Sequence, residues 1–155
     1  MKMKKVTILF CTLVGLLLSV GCTPTEKVNP YVKDIVGEWH LSAWNGEKPI
    51  DFDAYINFQA EGTFEIYQQF GTVNYVQYLG NYKISDETLT GVYSDAKPFG
   101  SSYTMKFSAD KNKLTLTSEE QFGEESVYVR ASIPTDIKQE AVPAGQARAE
   151  VERLL

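Results

Sequence analysis

Residues 37–44 read Gly37-Glu38-Trp39-His40-Leu41-Ser42-Ala43-Trp44. Trp39, Leu41 and Ala43 alternate with His40, Ser42 and Trp44, a period of two that belongs to a strand with one dry and one wet face. The same period runs outward along the chain. Ile56 and Phe58 alternate with Tyr55, Asn57 and Gln59, and Phe64 and Ile66 with Thr63, Glu65 and Tyr67. It recurs over 73–84, 88–94, 101–108, 113–118 and 124–131, which brings the count to eight strands. Turn signals separate them at close spacing: Asn45-Gly46, Glu61-Gly62, Gly71, Ser85-Asp86, Pro98-Phe99-Gly100, Asp110-Lys111-Asn112 and Gly123. Short connections favour antiparallel neighbours, and eight such strands in succession can close on themselves and remove their exposed edges. The pattern predicts an all-β fold, an eight-stranded antiparallel up-and-down β-barrel, with a two-sheet sandwich as the alternative.

The flanks of this region read differently. Lys2, Lys4 and Lys5 precede an apolar run over 6–20, which is short of the roughly 20 residues a spanning helix needs. Such a run is an export signal rather than an anchor. Ser19-Val20-Gly21-Cys22 resembles the lipobox of Gram-negative lipoproteins; Leu18, Gly21 and Cys22 stand in place, while Ser19 replaces the commoner leucine. The resemblance implies a signal peptide over 1–21, lipid on the Cys22 thiol, and a protein held by that lipid to the cell envelope, at the outer membrane facing the periplasm. An ordinary secretory signal with Cys22 left as a free thiol is the other reading. Residues 22–35 form a polar tether ending in a short helical turn that Asn29-Pro30 would start. In the tail, 134–155, the positions Ala147, Val151, Leu154 and Leu155 predict a short amphipathic helix over 146–155, either docked on the barrel or frayed.

Without residues 1–21 the chain keeps 134 residues, 12 basic and 20 acidic, for a net charge of −8. Nucleic-acid binding rests on clustered Lys and Arg, so that balance argues against such a partner. Cys11 lies in the signal and Cys22 takes lipid, leaving the barrel neither a disulfide nor a thiolate metal site. Its stability then comes from packing.

Gly37-Glu38-Trp39 opens the first strand after a helical turn, and Arg130 lies on the last strand within Val127-Tyr128-Val129-Arg130. These, with Glu61-Gly62-Thr63-Phe64, Gly80 and Tyr82, Leu89, Tyr103 and Leu114-Thr115-Leu116, resemble the lipocalin-like (calycin-type) domains of small bacterial lipoproteins over residues 36–133. The resemblance implies a structural plug made by Gly37, Trp39 and Arg130, the guanidinium lying across the indole at one closed end. Strands this short leave a smaller cavity than a full-length lipocalin has, or none.

No residue pattern supports catalysis. His40 is the single histidine and reads as a surface residue of the first strand. The acidic run 118–125 matches no calcium loop and reads as a solvated hairpin. No Gly-x-Ser-x-Gly elbow and no phosphate loop is present, so neither a catalytic residue, a metal ligand nor a cofactor is assigned. The aromatic supply is the feature with functional content. Tyr67, Tyr75, Tyr78, Tyr93 and Tyr103 fall on predicted strands and are the candidates for lining a ligand site, since a ring with one polar tip suits a partly apolar ligand. They could equally fill a small barrel or pair across its outer face. The expected function is a membrane-anchored, non-catalytic lipoprotein that binds a small, partly apolar ligand in its barrel. The alternative is an envelope protein-interaction module, such as a hydrolase inhibitor or assembly subunit, working through loop 95–102 or the tail helix.

Overall fold

The computed structural model describes residues 29–120, 123–147 and 152–155. The expected export signal, Cys22 and most of the expected tether lie outside the described residues. The first element is helix α1, Pro30–Ile35, where Pro30 sits at the first helical position and the Asn29 side chain accepts a hydrogen bond from the Tyr31 amide at 3.0 Å. Eight strands follow: β1 (Gly37–Trp44), β2 (Phe52–Phe58), β3 (Thr63–Phe70), β4 (Val76–Ser85), β5 (Thr88–Tyr93), β6 (Tyr103–Phe107), β7 (Lys113–Ser118) and β8 (Glu125–Arg130).

Each strand pairs antiparallel with its neighbours in sequence, β8 returns to β1, and so the sheet closes into a barrel. Closure leaves no free edge around most of the circumference. The connections have the predicted chemistry. At Asn45-Gly46 both residues have positive φ, 49° and 82°, the conformation that a two-residue hairpin needs to match the twist of its strands. Trp44 and Glu47 exchange backbone hydrogen bonds of 2.8 and 3.0 Å across that turn.

The weakest seam lies between β5 and β6, which pair only through Thr88–Thr104 and Leu89–Tyr103. Phe99, from the connecting loop, fills the rest. Its ring lies flat enough on Gly91 that a Cβ there would stand 2.3 Å from the ring carbon Cζ. Phe99 therefore replaces missing backbone pairing with buried aromatic surface, in edge contact with Tyr93 and Tyr103.

The tail departs from expectation. Its helix, α2, occupies Thr135–Glu140, and a 3-10 turn spans Ala144–Gln146. Residues 147 and 152–155 are not helical, while 148–151 lie outside the described residues. The apolar spacing that suggested a helix over 146–155 serves another purpose: Leu154 and Leu155 pack on the barrel core from an irregular segment. Between these elements Val142–Pro143, strand β9, runs parallel to the start of β4 and covers an edge that β5 is too short to reach.

One continuous core fills the barrel from Ile35 to Leu155. Trp39, Phe58, Phe64, Ile66, Leu89, Met105, Leu114, Leu116 and Tyr128 are all essentially inaccessible to solvent.

Candidate ligand-binding site

The two ends of the barrel are built differently. At the end where β1 begins and β8 finishes, Trp39 and Arg130 are register partners, and the guanidinium carbon stands 4.1 Å from the indole centroid. Arg130 donates to the carbonyls of Lys111 and Val36, both at 3.0 Å, and of Asp34 at 2.5 Å. Trp39 Nε1 donates to the Ile35 carbonyl at 2.7 Å. Gly37 has φ +123°, and a Cβ on it would lie 2.7 Å from an Arg130 nitrogen. Those three residues and α1 shut this end.

The opposite end collects aromatic rings and small polar groups. Tyr78 from β4, Tyr93 from β5 and Tyr103 from β6 are buried there and face inward, with Tyr128 and Ser126 from β8 and Ser118 from β7. Burial pushes the Tyr103 hydroxyl up to about 12, helped by Glu124 and Glu120. Burial also raises Tyr93 and Tyr128 well above the ordinary tyrosine range, and each of those two feels Tyr103. The Tyr128 hydroxyl is completely enclosed, and no group among the described residues meets it at hydrogen-bonding geometry. Ser126 is a polar neighbour that acts on it.

Alternation of β1 places Trp44 on the wet face, but a bulge between Leu41 and Ala43 shifts the phase. Trp44 consequently pairs with Ser126, an inward residue, and its ring meets Phe52 edge-on at 5.6 Å. Phe52 in turn meets Phe70 at 5.7 Å. These three rings form an apolar rim around a cleft of about 240 Å³ at the barrel mouth. A second cleft, about 300 Å³, opens between Tyr78, Tyr93 and Asp95. Both are at or below the lower end of the ~300–1,000 Å³ typical of small-molecule sites.

Of the five candidate tyrosines, the structure brings Tyr78, Tyr93 and Tyr103 together at the mouth and sends two elsewhere. Tyr67 is buried on the outer wall, its hydroxyl donating to Glu65 at 3.2 Å and accepting from Gln77 at 3.0 Å. Tyr75 precedes β4 and donates to Asp53, also on the outer wall. The physical reason is parity: Tyr67 alternates with the inward Ile66 and Gln68, and Tyr75 with the inward Val76. His40 belongs to the same outer cluster, with Nε2 2.7 Å from Asp53 and its ring stacked on Tyr55 at 4.3 Å. Asp53, on β2, ties His40 of β1 to Tyr75 before β4. Sequence reasoning missed Trp44, Phe52, Gln68 and Phe70. The aromatic residues stood at strand ends bounding the turns, the one signal that pointed to a rim.

A family model described as a lipocalin-like domain matches residues 35–116, from the end of α1 into β7. The chain belongs to the lipocalin-like family. Barrels of this family are of a ligand-binding type and generally non-catalytic. Among solved structures, a lipocalin-like protein from Bacteroides uniformis is similar, with 20% identity and a TM-score of 0.49 over 63% of this chain and 99% of that one. Comparison with curated proteins returns no match. In this lipocalin-like domain the shut end is the one held by Trp39 and Arg130, and the open one carries the tyrosines and the aromatic rim.

Proposed function

We propose that this protein is a lipid-anchored, non-catalytic binding protein of the cell envelope that takes a small, partly apolar ligand at the open end of its barrel. The observation that carries the reading is the inward cluster of Tyr78, Tyr93, Tyr103 and Tyr128 beneath a mouth of aromatic rings. The Tyr128 hydroxyl is enclosed among them with Ser126 as its polar neighbour, and a ligand with an acceptor at that depth would give it a further partner. The aromatic rim of Trp44, Phe52 and Phe70 supplies apolar area beside it. The anchor belongs to the same reading: Cys22 follows an export signal, and lipid on its thiol would hold the barrel at the outer membrane on the periplasmic side.

Native mass spectrometry of the protein purified from its own host tests both parts. A mass in excess of polypeptide plus lipid, released on denaturation, is expected. A mass of bare lipidated polypeptide across several preparations would overturn the ligand, and an unmodified Cys22 would overturn the anchor.

The second reading, an interaction module, draws on Ile50 and Val73, each 91% exposed on the hairpin tips beside the mouth. Loop 95–102 also offers it surface, because 95–98 and 100 are exposed while Phe99 and Ser101 turn into the barrel. A stoichiometric partner in pull-downs from solubilised membranes, lost on Ile50→Asp with Val73→Asp, would favour this reading over the first.

A further inference from the structure

Residues Glu152 to Leu155 enter the open mouth as an irregular segment. Leu155 is 3% exposed and belongs to the same buried cluster as the barrel core. Its backbone oxygen accepts a hydrogen bond of 2.7 Å from the Tyr93 hydroxyl. Gln68, itself buried on the inner face of β3, reads the segment's backbone with both ends of its amide: Nε2 donates to the Glu152 carbonyl at 2.6 Å and Oε1 accepts from the Leu154 amide at 3.0 Å. Arg153 clamps the outside, with two contacts to Asp95 and its guanidinium 4.4 Å from the Tyr93 ring and 5.3 Å from that of Tyr78.

None of these contacts is a strand ladder. Each is made by a side chain of the barrel to a short piece of chain, as a binding site holds a peptide ligand, and each is one that water or another ligand could replace. Arg153 lines both clefts at the mouth, so the segment is also the wall that divides them.

We propose that residues 152–155 are a built-in occupant of the ligand site, which the true ligand must displace, and that the site selects a branched or flat apolar group carrying a carbonyl, amide or carboxylate. This inference rests on the reading that the open end binds a ligand. The selection follows from what the segment presents there: an apolar Leu155 side chain, a carbonyl oxygen to Tyr93, and an amide face to Gln68. An incoming ligand with an acceptor at depth would keep the Tyr93 hydrogen bond. Self-occupancy sets a threshold: apparent affinity is reduced by the fraction of molecules in which the mouth is open.

Dansyl-leucine, which carries a leucine side chain, a carboxylate and a fluorophore that brightens on burial, is a suitable probe. Its affinity is measured for the full chain, for a chain lacking 152–155, and for a full-length Arg153→Glu, Leu155→Ser variant. The two altered proteins are expected to bind about tenfold more tightly or better, and a free peptide copying Glu152 to Leu155 is expected to compete the probe from the shortened chain. Equal affinity in all three overturns the built-in occupant and leaves the binding barrel standing. Absence of binding by every folded protein, judged by β-sheet circular dichroism, overturns the binding barrel itself. Should the shortened chain fail to fold, the full-length variant decides by the same comparison; loss of its β-sheet signal would show the segment to be an indispensable part of the core and overturn the proposal.

Discussion

Tyr93 and Leu155 are 62 residues apart in sequence, yet the hydroxyl of one is hydrogen-bonded to the backbone oxygen of the other inside the barrel mouth. The contact makes the end of β5 a receptor for the tail. It also explains why the tail's apolar spacing misled: Leu154 and Leu155 recur as though on a helical stripe because they face a cavity. Burying a leucine side chain is worth about 1.5–3 kcal/mol, more than the few hydrogen bonds of a ten-residue helix return once its nucleation is counted.

Trp39→Ala is expected to destabilise the protein by about 3–5 kcal/mol, the usual result of removing a large buried aromatic. Chemical denaturation followed by circular dichroism measures it. A double-mutant cycle with Arg130→Met should show a coupling of about 0.5–2 kcal/mol, the range for a guanidinium over an indole. An unchanged midpoint in Trp39→Ala would mean that the shut end does not depend on the indole.

Gly91→Ala should cost about 1–3 kcal/mol, since its methyl would stand 2.3 Å from the Phe99 ring and overpacked sites cost that much. Phe99→Leu alone should weaken the β5–β6 seam, but combined with Gly91→Ala it should restore part of the loss. The melting temperatures of the three variants check this; strictly additive losses would show that the two positions do not touch.

Alkali should unfold the barrel through its buried phenols. Burial raises the Tyr103 hydroxyl from 10.0 to about 12 and moves Tyr93 and Tyr128 in the same direction. A raised folded-state value means the stabilisation is complete below pH 10, where neither state ionises, and is lost as the pH climbs from there through about 12. Tyrosinate absorbance and circular dichroism should therefore change together over that window. Smooth titration of all tyrosines near their ordinary value, with the β-sheet signal intact, would contradict the buried cluster.

Acid should release the Arg153 clamp late. Hydrogen bonding by Arg153 holds the Asp95 carboxyl down at about 2, from 3.8. A lowered folded-state value means the contact is present above pH 3.8 and fades as the pH falls through about 2. The Asp95 side chain is about half exposed, at 47%, so salt should weaken the contact. Carboxyl chemical shifts from nuclear magnetic resonance, with and without salt, provide the check; an ordinary Asp95 titration would place Arg153 elsewhere.

Much of the fold was legible along the chain because it is local. Strand alternation, an Asn-Gly turn that demands positive φ twice, and a proline after Asn29 at a helix start each act within a few residues. The binding end was legible only in part. Tyr78, Tyr93 and Tyr103 lie on the inner face at the open end, but Tyr67 and Tyr75 sit one step out of phase with that face and so bond to Glu65 and Asp53 on the outer wall. Trp44 was hidden for the converse reason, since one bulged residue reverses the parity of everything after it.

From its residues alone the chain determined eight antiparallel ribbons, the turns between them and a dry side for each, because period and turn chemistry need no distant partner. Tertiary structure alone decided which end stays open, which rings look into it and what fills it. Those outcomes depend on the space left when the barrel closes, and Gln68, Tyr93 and Arg153 can grip residues 152–155 only once that space exists.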